Sequence, residues 1–211
     1  YNPKQKGYLI KVNDVVTSAS QVTNQSHMLR YLTLQGGSIG YHVLPVNSDQ
    51  NVYMVTNNTV HNVVFRNQNN GIHFDKFYAV DNTFINNVNF IDCNTAWFQD
   101  PLLPNPNGSG EYNQNMYIDK TLFYECQFIG NNEAFHMNQN GGRPNNLNAW
   151  VNCKFENNNL VMDFASNNAM FMANTDFTNN NGAFLFSGAS AMSFYSCNFN
   201  NNSVNALFNT I

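Results

Sequence analysis

Residues 150–159 read Trp150-Val151-Asn152-Cys153-Lys154-Phe155-Glu156-Asn157-Asn158-Asn159, and the same frame returns as Met172, Thr175, Phe177 and Asn179-Asn180, then as Phe194, Cys197, Phe199 and Asn201-Asn202. One unit earlier it reads Phe123, Cys126, Phe128 and Asn131-Asn132. After each Asn pair an apolar residue reappears, as Phe135, Leu160, Phe184 or Val204. Weaker copies stand upstream at Val60, Val63, Phe65, Asn67 and at Ala79, Asn82, Phe84, Asn86-Asn87. The central Phe positions are 65, 84, 128, 155, 177 and 199, with steps of 19, 44, 27, 22 and 22. The underlying period is about 22, and the longer steps hold insertions, which repeat arrays confine to loops. Extra residues around Gly141-Gly142-Arg143-Pro144 explain the 27, and a Pro/Gly/Asn-rich stretch from Gln99 to Gln114 explains the 44.

A unit this short, with alternating Phe-x-Cys-x-Phe, reads as short strands joined by tight turns. Leucine is too scarce for a leucine-rich repeat, and no GGxGxD run supports a calcium-binding roll. The expectation is an all-β chain folded as a right-handed parallel β-helix, a solenoid whose turns stack at about 4.8 Å so that like residues form columns. Phe65, Phe84, Phe128, Phe155, Phe177 and Phe199 then form an interior aromatic stack, and Cys126, Cys153, Thr175 and Cys197 a neighbouring column of small residues. Residues 52–211 are assigned to the solenoid, with insertions at 99–114 and 138–148. Residues 1–51 are assigned to an N-terminal cap and first strands: a short capping helix over Ser18–Leu34, and strands over Tyr41–Val46 and Val52–Val55.

This frame accounts for the composition. Asparagine makes up 43 of the 211 residues, far above average usage. Asn tolerates the left-handed region and bonds its own backbone in turns, so regularly placed Asn marks regularly placed bends. With 43% hydrophobic residues and 18 Phe, the chain can bury a core as one domain. Only 10% of residues are charged and the net charge is −4. Nine scattered basic residues give no stripe for phosphate, so nucleic acid is not an expected partner. No window approaches 18 consecutive apolar residues, so no membrane insertion is expected. The chain opens at Tyr1 without a charged-then-apolar leader, as an excised mature domain would.

The Cys-x-Phe-x-Asn-Asn repeat resembles that of right-handed β-helix surface proteins, the pectate-lyase-like superfold, and is most similar to the Asn-rich coils of microbial adhesin-like proteins. The resemblance covers roughly residues 60–211. It implies a fold that also hosts polysaccharide lyases and polygalacturonases, so catalytic groups must be looked for. Polygalacturonases carry an Asp-Asp pair and a Gly-His-Gly, and neither string occurs. Asp75, Asp81, Asp92, Asp119, Asp163 and Asp176 share no spacing, and the neighbouring basic-acidic pairs are Asp75-Lys76 and Asp119-Lys120. Asp75, Asp92 and Arg143 are the weak catalytic candidates. His61, His73 and His136 match no zinc spacing, and no metal or cofactor is expected. Cys126 and Cys153 share a frame position, which places their α-carbons about 5 Å apart, within disulfide range. Buried free thiols are preferred, because Thr175 fills the equivalent position.

With catalysis poorly supported, loop aromatics carry the functional reading. Trp97 and Phe98 open the long insertion, Tyr112 and Tyr117 close it, and Trp150 follows the second. Sugars stack C–H faces on aromatic rings while Asn and Gln amides bond hydroxyls, which suits an uncharged glycan and a nearly uncharged chain. The expected function is non-catalytic adhesion to a polysaccharide, cellulose or another neutral glycan, by a monomeric extracellular or cell-surface domain. Trp97, Phe98, Tyr112, Tyr117 and Trp150 would be its binding residues. One family that the chain resembles in fold and composition is the tāpirins, cell-surface proteins of cellulose-degrading bacteria whose β-helix domain binds cellulose; it is one candidate among adhesins. A polysaccharide lyase or hydrolase of the same fold is one alternative, and a trimeric phage receptor-binding spike another.

Overall fold

The computed structural model describes residues 8–14, 27–45, 54–74, 79–99, 117–137, 145–164, 167–187, 192–203 and 207–209, and every structural statement concerns these residues. They are all-β, with long parallel sheets and no helix. One sheet holds eight strands in the order Tyr8–Asp14, Ile39–Pro45, Asn70–Phe74, Thr95–Gln99, Glu133–Met137, Leu160–Phe164, Gly182–Ser187 and Leu207–Asn209. All seven pairings are parallel.

The second sheet has fourteen strands. Its main run begins with Met28–Gln35, Thr59–Arg66 and Phe84–Ile91. Each later level is split in two, as Leu122–Tyr124 with Gln127–Ile129, and so on to Met192–Tyr195 with Asn198–Asn200. The split falls where the backbone turns left-handed, at Glu125, Asn152, Asn174 and Ser196, in line with Tyr31, Asn62 and Asn87 in the unsplit strands. Two further left-handed columns follow the same register. One is Gly36, Asn67, Asp92, Gly130, Asn157, Asn179 and Asn201, and the other Asn57, Asn82, Lys120, Leu147 and Ala169.

Asn holds ten of the seventeen non-glycine positions at positive φ, so part of its abundance is a backbone requirement. Within these columns Gly36, Asn57, Asn67, Asn82, Asp92, Gly130, Asn157 and Asn179 each donate their backbone amide to the residue preceding the next bend, as Asn157 N does to Thr178 O at 3.1 Å. Gly130 stands in the same column at φ 68°, a conformation that glycine takes without steric cost.

Between the sheets lies one apolar cluster built from columns. Phe65, Phe90, Phe128, Phe155, Phe177 and Phe199 stack ring on ring with centroids 4.7–5.1 Å apart. A second column runs Leu29, Val60, Ile85, Phe123, Trp150, Met172 and Phe194. A third, from the eight-stranded sheet, carries Tyr41, Ile72, Trp97, Phe135 and Met162.

Two expectations need correcting. The stack member between Phe65 and Phe128 is Phe90, not Phe84, because Phe65 pairs with Phe90 and Phe90 with Phe128. The steps are therefore 25, 38, 27, 22 and 22. The second half of the expected capping helix is the strand Met28–Gln35, paired in register to Thr59–Arg66, while residues 15–26 lie outside the described residues. The strand expected over Tyr41–Val46 appears as Ile39–Pro45, and that over Val52–Val55 overlaps Met54–Thr56.

Candidate functional site

Strand alternation sends every second residue of the longer sheet outward. One outward row runs Met28, Thr59, Phe84, Leu122, Ala149, Phe171 and Ser193. Its neighbour, two residues on, runs Arg30, His61, Asn86, Tyr124, Val151, Ala173 and Tyr195. These rows carry much of the exposed large apolar surface of the described residues: Met28 is 64% exposed, Phe84 38%, Phe171 42% and Tyr195 66%, with Leu147 (58%) and Tyr31 (68%) at the adjoining bends. Single exposed apolar residues are ordinary, but here several recur on one face at register spacing.

The strip is flat and regular because its register is set by backbone pairing. Three strand steps separate Phe84 from Phe171, and three separate Tyr124 from Tyr195, about 14 Å in each case. Between Leu147 and Phe171 the small side chains of Ala149, Ala169 and Ser193 leave a groove of about 280 Å³, floored by Met170 and Asn148. Asn148 is fixed there, its Nδ2 donating to Ile118 O at 3.0 Å and its Oδ1 accepting from Thr121 N at 3.1 Å. The left-handed backbone of Leu147 (φ 52°) turns its side chain out over the groove edge.

One step along the bend from Leu147 is Lys120. Its Nζ lies 3.5 Å from Asp81 Oδ1 and 3.6 Å from Asp119 Oδ2. Asp81, then Asp119, holds the Lys120 amine above the usual lysine range. Asp81 and Asp119 are direct register partners, so two carboxylates 38 positions apart in sequence share one site with a lysine.

The expected binding residues are distributed otherwise. Trp97 and Trp150 are 0% exposed. Both belong to inward columns, Trp150 stacked on Phe123 at 5.1 Å and Trp97 packed on Phe74, Phe123 and Phe135, so neither offers a ring face to a ligand. Phe98 is half-buried on the opposite sheet, edge-on to His73 at 4.7 Å and stacked on His136 at 5.1 Å. Tyr117 begins a strand paired to Ala79, and Tyr112 lies outside the described residues. Asp75 and Arg143 also lie outside them, and Asp92 is an exposed bend residue.

Among the described residues no three His, Cys, Asp or Glu side chains are grouped to hold a metal, and no helix is long and apolar enough to cross a membrane. The four cysteines are free. Burial, and then the neighbouring Cys153 thiol, push the Cys126 thiol well above the ordinary range, and burial pushes Cys93 up to about 11. These thiols stay protonated and unreactive at neutral pH. The repeat in the sequence does not reveal this strip, because Phe84 there is indistinguishable from an inward Phe.

No family model matches the chain, and no curated protein matches it. Among solved structures, ORF18 of Geobacillus virus E2 is similar at 12% identity with a TM-score of 0.34, over 90% of this chain and 54% of that one. The chain spans about half the length of that structure, and the likeness is too slight to bear on function.

Proposed function

We propose that the chain is a right-handed parallel β-helix that serves as a non-catalytic adhesion domain, extracellular or at the cell surface, holding an uncharged polysaccharide as a monomer. In-register columns shared by two parallel sheets support the helical winding. The carrying observation for adhesion is the outward strip of Phe84, Phe171 and Tyr195 beside Tyr31 and Leu147. Exposed rings at fixed spacing present π faces to sugar C–H groups, and Asn86 in the same rows supplies an amide for hydroxyls. Cellulose or another neutral glycan fits this chemistry. In this reading the binding residues lie on the sheet face, and the wholly buried Trp97 and Trp150 are not among them.

Retention on insoluble cellulose and a panel of neutral glycans tests the reading, comparing the native chain with a Phe84→Ala, Phe171→Ala, Tyr195→Ala variant. The variant is expected to lose retention at least tenfold while keeping its fold; equal retention removes the strip as the binding face.

A second reading is favoured by the Asp81, Asp119 and Lys120 grouping. Paired carboxylates beside a lysine are the groups a polysaccharide hydrolase or lyase uses for proton transfer. Release of reducing ends, or of unsaturated products absorbing in the ultraviolet, abolished by Asp119→Asn, is the result that would install the enzyme in place of the adhesin.

A further inference from the structure

His61, in the second outward row, has an amide nitrogen against each ring nitrogen. Asn62 Nδ2 stands 2.9 Å from Nε2, and Asn86 Nδ2 stands 3.0 Å from Nδ1. A neutral imidazole accepts at one nitrogen and donates at the other, so only one of these amides can donate to it and the other must present its oxygen. A third amide decides which. Asn87 Nδ2 donates to Asn62 Oδ1 at 2.5 Å, so the Asn62 oxygen is taken and its Nδ2 faces the ring. With the Asn62–Asn87 row running in this direction, Nε2 is the acceptor and Nδ1 carries the proton, an assignment that requires Asn86 to turn its oxygen to the ring in place of the Nδ2 that lies against it.

We propose that His61 is an acid-sensing residue of the outward face, and that its protonation reverses the hydrogen-bond direction of the Asn62–Asn87 amide row. A second proton on Nε2 would meet the NH₂ group of Asn62. The clash is relieved when the Asn62 amide rotates to offer its oxygen, which turns its NH₂ on Asn87 and rotates that amide in turn. The proton comes from solvent, and no covalent bond other than N–H changes.

Arg30 is the register partner of His61 on the preceding strand, and the Tyr31 ring meets the imidazole edge-on at 5.6 Å. On the following strand Asn86 is uncharged, and on its own strand the nearest charged residue is Arg66. Beyond Asn87 the next left-handed position in register is Glu125. Protonation of His61 thus adds a second cation beside Arg30 in the outward row and reorders its amide edge. This inference does not depend on what the strip binds.

Long-range proton–nitrogen correlation spectra of the ¹⁵N-labelled chain, titrated from neutral to acid pH, test it directly. The neutral His61 ring is expected as the Nδ1–H tautomer, the opposite of that favoured by a free histidine side chain. On acidification the side-chain amide signals of Asn62 and Asn87 are expected to shift with the same midpoint as the His61 nitrogens. The Asn62→Asp variant, which supplies an acceptor to Nε2 and keeps a residue tolerant of positive φ, should switch the neutral ring to Nε2–H. An Nε2–H ring in the native chain, or amide signals that stay fixed while His61 titrates, overturns the proposal.

Discussion

The side-chain amide of Asn158 donates to Asn180 Oδ1 at 2.9 Å and to Phe128 O at 2.9 Å. Its own Oδ1 accepts from Asn131 N and Nδ2, both at 3.0 Å. Asn180 repeats the arrangement with Asn202 and Phe155 O. The triplet Asn157-Asn158-Asn159 therefore divides three tasks: Asn157 takes the left-handed bend (φ 57°), Asn158 is buried in the amide column, and Asn159 bonds Asn132 in an exposed row.

Removing the middle amide strands its partners in an apolar interior. Each buried polar group left unpaired costs about 1–3 kcal/mol. Asn158→Ala is expected to destabilise the chain by about 3 kcal/mol, and the exposed Asn159→Ala by no more than about 0.5 kcal/mol. Urea unfolding of the two variants checks this; equal losses would mean the buried column is not what distinguishes them.

How far the sequence could be read follows from which positions accept substitutes. Asn, Cys and Phe recur at fixed spacing after residue 120 because three columns there demand a left-handed bend, a small side chain and a flat ring. The period was visible for that reason. Earlier units fill the same columns with other residues: Leu34 and Phe65 share one, and Cys93 takes the place of Asn131, its backbone N bonded to Asn131 Oδ1 at 2.9 Å. The repeat frame is therefore ambiguous there by six residues, between Phe84 and the Phe90 that pairs with Phe65 and Phe128. The site was less legible. A Trp beside prolines looks like a surface ring, whereas a large aromatic in an inward column is a core residue, and only the register separates Trp97 and Trp150 from Phe84 and Phe171.

Leu147 is a branched residue held at φ 52° with 58% of its surface exposed. Both features cost stability, since a left-handed conformation is unfavourable by about 1–2 kcal/mol for a residue with a bulky side chain. Leu147→Asn is expected to raise stability by about 1 kcal/mol, because Asn suits the bend as it does at Asn57 and Asn82. The same variant removes the apolar rim of the groove and should weaken glycan retention. Thermal unfolding and retention measured together check the pairing of gain and loss; a loss of stability would show that the leucine side chain is held by packing.

Cys93 supplies a pH dependence with a definite sign. Burial, with Asp92 adding to it, raises its thiol from 9.0 to about 11. The folded state thus holds a proton that the unfolded chain releases at lower pH. This contribution to stability is complete below pH 9.0 and is lost as pH rises through about 11. Denaturant midpoints between pH 8 and 11 should fall more steeply for the native chain than for Cys93→Ala; parallel curves would refute the assignment.

Trp150 and Phe171 are register neighbours on adjacent strands, one step apart in phase and on opposite faces of the sheet. Trp150 is wholly enclosed, stacked on Phe123 and edge-on to Phe135, so truncation leaves a cavity that flanking columns cannot close. Trp150→Ala is expected to cost about 3–5 kcal/mol. Phe171, 42% exposed, gives up only partly buried area, and Phe171→Ala should cost about 1 kcal/mol or less. Function should sort the other way. At a temperature where both variants are folded, Phe171→Ala is expected to lose glycan retention and Trp150→Ala to keep it, because only the first residue meets solvent. If Trp150→Ala, still folded, were the variant that failed to bind, the ligand would have to be recognised from the other side of the wall, and the outward strip would not be the binding face.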